Sequence, residues 1–226
     1  MSPAAALTPI VVFGASGHAK VVIDIVERVG AYKVIGLVDS GKPEGLEWFG
    51  YRVLGSEASL PELMSLYGFE AGIVAIGDNW TRYLVVNGIT KVVTDFRFIR
   101  AIHPSSLLGR GVRIGSGTVI MAGVTINSDT TIGDFCIVNT AASLDHDNEL
   151  GNFASVAPGV LTGGNVRVGQ FAALSIGASI IHGRTVGPHA VVGAGATVID
   201  DIPGYSVAWG TPARVVKQRK EGDRYL

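Results

Sequence analysis

The pattern of hydrophobic positions along the chain changes near residue 100. Before that point, short β-branched runs alternate with stretches whose apolar residues recur at helical spacing. After it, a large apolar residue recurs at every sixth position for about 100 residues. The two patterns predict two domains, over residues 1–100 and 101–226.

The first pattern predicts a small Rossmann-like α/β domain. Strands separated by helices must cross over, so the sheet is expected to be parallel. In the predicted helix from Gly17 to Val29, Ala19, Val22, Ile23 and Val26 share one face. The other elements are strands at 9–16, 33–39 and 72–77 and helices at about 60–67 and 80–88.

The second pattern has a period of six residues. Of seventeen positions spaced by six from Ile102 to Val198, sixteen are Ile, Leu or Val, and the exception is Thr162. Four residues after these positions, small side chains recur: Thr118, Thr130, Cys136, Ala142, Ala154, Ala172, Ala178, Ala190 and Ala196. One large and one small inward position per hexad predict a parallel β-helix with three hexads per coil. Residues 18 apart should then stack, at about 4.8 Å per coil, over five to six coils.

Composition narrows the class of protein. The chain has 226 residues, is 47% hydrophobic and carries 18 basic and 19 acidic residues, so a nucleic-acid partner is not expected. The basic cluster from Lys217 to Arg224 is interpreted as a solvated tail. A single cysteine, Cys136, suits a reducing compartment. Neither a signal peptide nor a membrane span is predicted, which favours a cytoplasmic protein.

The stretch LDHDNE, residues 144–149, carries the candidate chemistry. His146 lies two residues past Leu144, at a predicted corner of the β-helix, and Gly164 is one coil later. The break at Thr162 falls beside it, and the glycine is expected to let a ligand approach the backbone. Asp145 and Asp147 flank the histidine, and a carboxylate can orient an imidazole as a general base. A surface histidine without function is the alternative. His103, His182 and His189 are interpreted as structural or surface residues, although His182 shares the corner column.

The stretch GASGH after the first strand is a partial dinucleotide fingerprint. Gly14 and Gly17 allow a tight turn onto a helix N-terminus, where backbone N–H groups favour an anion. Asp39 closes the second strand about 20 residues on. The third glycine of the fingerprint is missing, so the glycines serve either a nucleotide or only the turn.

Four motifs together give the chain a family resemblance: GASGHAKVVIDIV, AIGDN, DHD within the repeats, and GTPAR. The chain resembles the bacterial nucleotide-sugar N-acetyltransferases of the left-handed β-helix class, of the perosamine or bacillosamine-precursor type, and the related sialic acid O-acetyltransferases. The resemblance implies a homotrimer, with sites between prisms, that uses acetyl-CoA and serves lipopolysaccharide O-antigen biosynthesis. Its implied substrate is a UDP- or GDP-linked 4-amino-4,6-dideoxy sugar such as GDP-perosamine.

The resemblance also implies roles for particular residues. His146 is the base, Asp147 its partner, and the Gly164 amide a contact of the acetyl carbonyl. Some relatives have a second histidine nine residues after the base, where this chain has Ser155. The residues expected near the nucleotide sugar are Gly14, Ser16, Gly17, His18, Asp39, Gly77 and Asn79. The residues expected along coenzyme A are Gly164, Gly177, Ala178, Gly193, Ala194, Gly195, Pro212 and Ala213.

The expected reaction is a direct attack of the sugar amine on the thioester, without an acyl-enzyme and without a metal. Cys136 falls at an inward position, which argues against a nucleophile. Two alternatives stay open. One is an O-acetyltransferase acting on sialic acid or a related sugar, and the other is a non-enzymatic, nucleotide-binding trimeric scaffold.

Overall fold

The computed structural model describes residues 6–224. Its first part is a six-stranded sheet with the order β3-β4-β2-β1-β5-β6, parallel except where β3 and β4 form an antiparallel hairpin. The strands are β1 (Thr8–Phe13), β2 (Tyr32–Val38), β3 (Glu47–Trp48), β4 (Tyr51–Gly55), β5 (Ala71–Val74) and β6 (Arg97–Phe98). The helices are α1 (Gly17–Val29), α2 (Leu60–Tyr67), which follows a short 3-10 helix at Glu57–Ser59, and α3 (Asn79–Val92).

Helix α1 illustrates how the sequence determines this domain. Ala19, Val22, Ile23 and Val26 are buried on one face, because apolar residues spaced by three and four share one side of a helix. Gly30 ends the helix with φ of 67°, a left-handed conformation that glycine adopts without steric cost.

The second part is a left-handed parallel β-helix of seventeen two-residue strands among the described residues. They are β7 (Ala101–Ile102), β8 (Leu107–Leu108), β9 (Arg113–Ile114), β10 (Val119–Ile120), β11 (Thr125–Ile126), β12 (Thr131–Ile132), β13 (Ile137–Val138), β14 (Ser143–Leu144), β15 (Glu149–Leu150), β16 (Ser155–Val156), β17 (Leu161–Thr162), β18 (Arg167–Val168), β19 (Ala173–Leu174), β20 (Ser179–Ile180), β21 (Thr185–Val186), β22 (Val191–Val192) and β23 (Thr197–Val198). Each pairs in parallel with the strand 18 residues away, for example Ile120 with Val138. The second residue of the strands packs in the interior, as the six-residue period predicts, except Leu108 of β8, which is 42% exposed.

The three faces of the prism differ in their outward residues. We call them the covered face, the uncharged face and the charged face. The covered face (Ala101, Val119, Ile137, Ser155, Ala173 and Val191) lies against the α/β domain, because Ala101, Val119 and Ile137 pack in one cluster with α1 and β1. The uncharged face presents Leu107, Thr125, Ser143, Leu161, Ser179 and Thr197. The charged face presents Arg113, Thr131, Glu149, Arg167 and Thr185.

A column of stacked rings runs along the edge where the β-helix meets α3. We call Phe135, Phe153, Phe171, His189 and Tyr205 the aromatic column. Its neighbouring ring centroids lie 5.1, 5.1, 4.6 and 4.7 Å apart, close to the coil spacing. Trp80 and Tyr83 of α3 pack against it, so this column joins the two parts of the chain.

The chain ends the β-helix with an antiparallel pair, β24 (Ser206–Trp209) and β25 (Arg214–Gln218). This pair, the β3–β4 hairpin and β6 are not predicted from the sequence. Helix α3 is predicted to end near Gly88 but continues to Val92, because it packs against the sheet and the aromatic column. The predicted fold class is confirmed.

Candidate active site

His146 lies at the corner that follows β14, at the edge of the uncharged face. Its Nδ1 is 2.7 Å from a carboxylate oxygen of Asp147, and both side chains are about half exposed, at 52% and 53%. Asp145 acts differently, because its Oδ1 accepts hydrogen bonds from the His146 backbone N–H and from Asn127. One flanking carboxylate therefore orients the ring, and the other holds the backbone of the corner.

Gly164 lies directly under the imidazole, one coil later. A Cβ placed on Gly164 would be 2.5 Å from Cε1 of His146 and 2.6 Å from Nε2. The glycine is therefore required by the histidine itself, and the expectation that it also lets a ligand approach the backbone stays a prediction. The backbone carbonyl of His146 accepts from Asn165, and the Gly164 N–H makes no hydrogen bond within residues 6–224.

The charges around His146 favour its protonated form. The hydrogen bond that Nδ1–H donates to Asp147, with the charges of both flanking carboxylates, raises the pKa of His146 above its ordinary value of 6.5. The neutral ring then has Nδ1–H donated to Asp147 and Nε2 available as a base, because the carboxylate selects that tautomer. This geometry suits proton abstraction near neutral pH.

A second group of candidate residues lines a cleft of about 460 Å³ between the α/β domain and the covered face. His18, Gly77 and Ser155 are in its wall, and His146 is not. The remaining lining is mostly apolar, and it includes Asn139 and Ser175, which the sequence motifs do not identify. Both lie at the corner after the covered face, a position that the 18-residue rule could have connected with Ala157 of the same wall.

His18 is the titratable group of this cleft. Its Nε2 is buried and has no hydrogen-bond partner within the described residues. Burial lowers the pKa of His18 to about 4, and the positive charge of Arg82 contributes in the same direction. The ring, which forms part of the cleft wall, is therefore neutral at pH 7.

The loop from Gly14 to Gly17 turns the chain from β1 into α1. Gly14 has φ of 107°, and a Cβ there would be 3.1 Å from the Ala75 carbonyl oxygen, so the turn requires glycine. Gly17 has only open space around a Cβ position, so the turn does not require it. Ser16 makes no side-chain cap, and its carbonyl accepts from Trp48.

Asp39 supports this loop from the end of β2. Its two carboxylate oxygens accept from the Ala15 N–H at 2.7 Å and the Gly41 N–H at 2.8 Å. In this structure the side chain holds the loop, and it is half-buried at the same sheet edge as His18.

Asn79 is not placed to contact a ligand through its side chain, which corrects the expectation from the sequence. It is 2% exposed, donates to the carbonyls of Phe171 and Ala172, and bonds to Ser155. The guanidinium of Arg82, itself 1% exposed, donates to Asn79, to the Gly77 carbonyl and to Ser155. The two residues fix α3 on the β-helix and shape the wall of the cleft.

The residues expected along coenzyme A divide into exposed and buried ones. Gly177, Ala194, Gly195 and Pro212 are exposed, and Gly193 is partly exposed. Ala178 is 0% exposed and Ala213 is 4% exposed, because both side chains pack into the β-helix core. Their side chains are therefore not exposed to a ligand in this structure, and the expectation that these two positions lie along coenzyme A stays a prediction.

The other histidines and Cys136 lie in different surroundings from His146 and His18. His103 Nδ1 bonds to Ser105, and His182 is exposed in the corner column of His146. His189 is 5% exposed inside the aromatic column, where burial lowers its pKa. Cys136 is buried, which raises its pKa to about 12 and keeps the thiol protonated.

The basic cluster near residue 220 is not wholly a solvated tail. Arg219 donates to the His189 carbonyl, and Gly222 lies against the Trp80 ring. Lys217, Arg219 and Arg224 line a cleft of about 440 Å³ that also contains Gly193 and Trp209.

Residues 6–224 contain no group of three or more His, Cys, Asp or Glu side chains that could hold a metal ion. None of the helices in that range has the length and apolar character needed to cross a membrane.

Two sequence families match the chain. Residues 9–89 match the PglD N-terminal domain, and residues 105–140 match the bacterial transferase hexapeptide (six repeats). The curated UDP-N-acetylbacillosamine N-acetyltransferase of Bacillus subtilis (strain 168) is 32% identical over 116 residues. That alignment spans 50% of this chain and 51% of the relative, about half the length of each.

Solved structures match over nearly the whole chain. Perosamine N-acetyltransferase from Caulobacter crescentus, a mutant in complex with CoA and GDP-perosamine, is 38% identical with a TM-score of 0.88. The match covers 94% of this chain and 99% of that one. The acetyltransferase domain of PglB from Neisseria gonorrhoeae FA1090, in complex with acetyl coenzyme A, is 31% identical with a TM-score of 0.83. That match covers 93% of this chain and 100% of the other.

Proposed function

Because this chain belongs to the family of hexapeptide-repeat N-acetyltransferases that modify nucleotide-linked amino sugars, we propose that it transfers an acetyl group from acetyl-CoA to such a sugar. The proposed acceptor is a UDP- or GDP-linked 4-amino-4,6-dideoxy sugar, with GDP-perosamine as the first candidate. Its product would serve O-antigen synthesis in the cytoplasm. The observation that carries the proposal is the His146 imidazole held between Asp147 and Gly164.

In the proposed reaction the sugar amine attacks the thioester carbonyl carbon of acetyl-CoA. The C–N bond forms, the C–S bond breaks, and coenzyme A leaves as the thiol. Nε2 of His146 accepts the amine proton, which can then pass to the leaving sulfur. Asp147 stabilises the imidazolium, and the Gly164 N–H is a free donor for the charge that develops on the carbonyl oxygen.

The two parts of the chain take different tasks in this proposal. Residues 1–100 form the nucleotide-sugar-binding domain, with Gly14, Ser16, Gly17, His18 and Gly77 toward the ligand. The free Nε2 of His18 supports this assignment, because a neutral ring in an apolar cleft can bond to a sugar hydroxyl or amine. Asn79 and Asp39 act indirectly, by holding the cleft wall and the loop. Residues 101–226 form the acetyltransferase domain.

Acetyl-CoA is the second substrate in this proposal, and the upper coils provide a suitable surface for it. The exposed Gly177, Ala194 and Gly195 leave an unobstructed path for the pantetheine arm, next to exposed Pro212. The cleft lined by Lys217, Arg219 and Arg224 provides positive charge for phosphate groups.

The difference between the three faces supports a homotrimer formed through the uncharged face. The covered face is occupied by the α/β domain, and the charged face carries Arg113, Glu149 and Arg167, whose desolvation would be costly. The uncharged face has no charge at its six outward strand positions and leaves Leu161 51% exposed and Leu107 68% exposed. His146 lies at the edge of that face, outside the cleft of its own chain. Contact between copies would place it near a neighbour's cleft.

The test is acetyl transfer with purified protein, acetyl-CoA and a panel of acceptors. The panel contains 4-amino-4,6-dideoxy sugars on UDP, GDP and dTDP, together with free sialic acid. We expect N-acetylation of one nucleotide-linked amino sugar and a turnover loss of about 10²–10⁴-fold in His146→Asn, with binding retained. The matched control is His182→Asn, which changes an exposed histidine of the same column and should keep turnover.

Other outcomes of this experiment would contradict the proposal in distinguishable ways. Acetylation of sialic acid alone would indicate an O-acetyltransferase. Nucleotide binding without any transfer would indicate a scaffold. Normal turnover of His146→Asn at saturating substrates would show that His146 is not the base. The proposed acetyl transfer itself would not be contradicted.

A further inference from the structure

Near the corner that carries His146, two inward positions of the β-helix hold polar residues where the six-residue pattern predicts an apolar or a small one. The large apolar position of this hexad column becomes Thr162, and the small position four residues after Leu144 becomes Asn148. Both side chains are buried, Thr162 at 8% exposure and Asn148 at 0%. Polar side chains in an apolar core are retained only where hydrogen bonds compensate their loss of hydration.

These two side chains bond to the backbone that carries His146. Nδ2 of Asn148 donates to the carbonyls of Asp145 and Gly163 and to Oγ1 of Thr162, while its Oδ1 accepts from Val166 at 2.9 Å. Thr162 Oγ1 also accepts from the Asp145 N–H at 3.3 Å. Both backbone groups of Asp145, the residue before His146, are therefore fixed from inside the prism.

A third inward side chain completes the arrangement. Thr130 Oγ1 donates to the Asp145 carbonyl at 2.8 Å and accepts from the Asn148 N–H at 3.2 Å. We call Thr130, Asn148 and Thr162 the inner network. Every member bonds to Asp145 directly, and Asp145 in turn binds the His146 N–H.

An ordinary corner of this β-helix is held more simply. Thr118 Oγ1 donates to the Gly133 carbonyl at 2.8 Å and accepts from the Cys136 N–H at 3.0 Å, and its neighbouring inward residues are apolar. One hydroxyl is thus sufficient to fold a corner. The additional Asn148 and Thr162 need another explanation, and the feature that distinguishes their corner is His146.

We infer that Asn148 and Thr162 are positioning residues, which hold the His146 ring over Gly164 and within reach of Asp147 from inside the prism. This inference rests on the proposed role of His146 as the base. Asp147 must be held as well as His146, because its backbone has φ of 56° and its carboxylate approaches Nδ1 from the next position in the chain. A shift of the backbone at Asp145 would move both partners, and displacements near 1 Å can cost about 10²-fold in rate.

The central variant is Thr162→Val. The other sixteen hexads have Ile, Leu or Val at this position, so the coil should fold with valine, while the Asp145 N–H and Asn148 lose a partner. We expect kcat to fall by about tenfold to 10²-fold with KM nearly unchanged. Thr162→Ser keeps the hydroxyl and should restore most of kcat. Thr118→Val removes an equivalent hydroxyl at an ordinary corner and should lose stability without losing kcat.

A second measurement does not depend on turnover. NMR titration of protein with isotope-labelled histidine, assigned with His146→Asn, reports the pKa of His146. In Thr162→Val this pKa should fall toward its ordinary value, because the bond with Asp147 that raises it is loosened. The titration curves of His146 in Thr162→Ser and Thr118→Val should match the wild type.

The outcomes separate the inference from the function on which it rests. If wild-type protein transfers no acetyl group to any acceptor, the proposed function fails, and the titration still decides whether the inner network positions the ring. A Thr162→Val protein with wild-type kcat and an unshifted His146 titration overturns the inference. Equal losses of kcat in Thr162→Val and Thr118→Val also overturn it, since they indicate a general effect on the fold.

Discussion

At the scale of single residues, two neighbours fix the position of the His146 ring. Along the chain, Asp147 binds Nδ1, and one coil away Gly164 leaves space for the ring. Both relations follow from the sequence once the 18-residue stacking rule is known. We infer that the inner network also holds this position from the core, although the His146 side chain itself is exposed.

The pH dependence of turnover tests the link between His146 and Asp147. Only the neutral imidazole accepts a proton, so kcat/KM should fall as pH decreases through the raised pKa of His146. In Asp147→Asn the carboxylate that raises this pKa is removed, so the acidic limb should move to lower pH. The maximal rate should fall by less than in His146→Asn. The measurement is kcat/KM from about pH 5 to 9 for the three proteins.

The histidine mutant serves as the internal reference for that profile. Any acidic limb that persists in the residual rate of His146→Asn belongs to the sugar amine or another group. An acidic limb that stays at the same pH in Asp147→Asn would mean that the carboxylate does not control the base.

The sequence is sufficient to predict the position of His146 but not the protonation state of His18. The corner position of His146 is fixed by counting hexads, which is a local property of the chain. The burial that keeps His18 neutral depends on how α1 docks on the covered face, and the charge of Arg82, which acts in the same direction, comes from a different helix. The burial of Asn79, Ala178 and Ala213 is likewise set by packing between elements.

At the scale of elements, the strands of the β-helix alternate inward and outward residues over only two positions. Thr131 and Ile132 are adjacent in β12, yet Ile132 is 2% exposed in the core and Thr131 faces outward beside Arg113. A shift of one residue in register would exchange them.

A matched pair of substitutions tests this register. Ile132→Asp places a carboxylate in the core without a partner, which should cost about 3–5 kcal/mol. Thr131→Asp places the same group on the charged face near the Arg113 guanidinium and should change stability little. Thermal unfolding of both variants and the wild type is the measurement, and similar melting temperatures for the two variants would contradict the register.

The elements that the sequence did not reveal have short or mixed patterns. The β3–β4 hairpin contains Trp48, Phe49 and Tyr51 without clear alternation, and β6 has only two residues. The β24–β25 pair leaves the six-residue period, so no repeat marks it. Helix α3 passes through Gly88 because contacts with the rest of the fold outweigh the low helix propensity of one glycine.

At the scale of the whole molecule, the three faces of the prism predict how copies assemble. Leu161→Arg puts a charge in the middle of the uncharged face, and burying it between subunits would be costly. We expect a folded protein with a monomer mass in light scattering and little transferase activity. Thr185→Arg adds the same charge on the charged face and should remain trimeric. A Leu161→Arg protein that is still trimeric would place the interface elsewhere.

The aromatic column has a further consequence for how such proteins can be recombined. From Phe135 to His189 its rings recur every 18 residues, so Trp80 and Tyr83 meet nearly the same surface at several heights along the prism. Stacking alone would therefore allow the α/β domain to dock one coil too high or too low. The guanidinium of Arg82, bonded to the carbonyls of Phe135 and Phe153 and to the Ser155 hydroxyl, fits only one height. A chimera that inserts one 18-residue coil between residues 135 and 153 should therefore separate the partners of Arg82 and lose this docking.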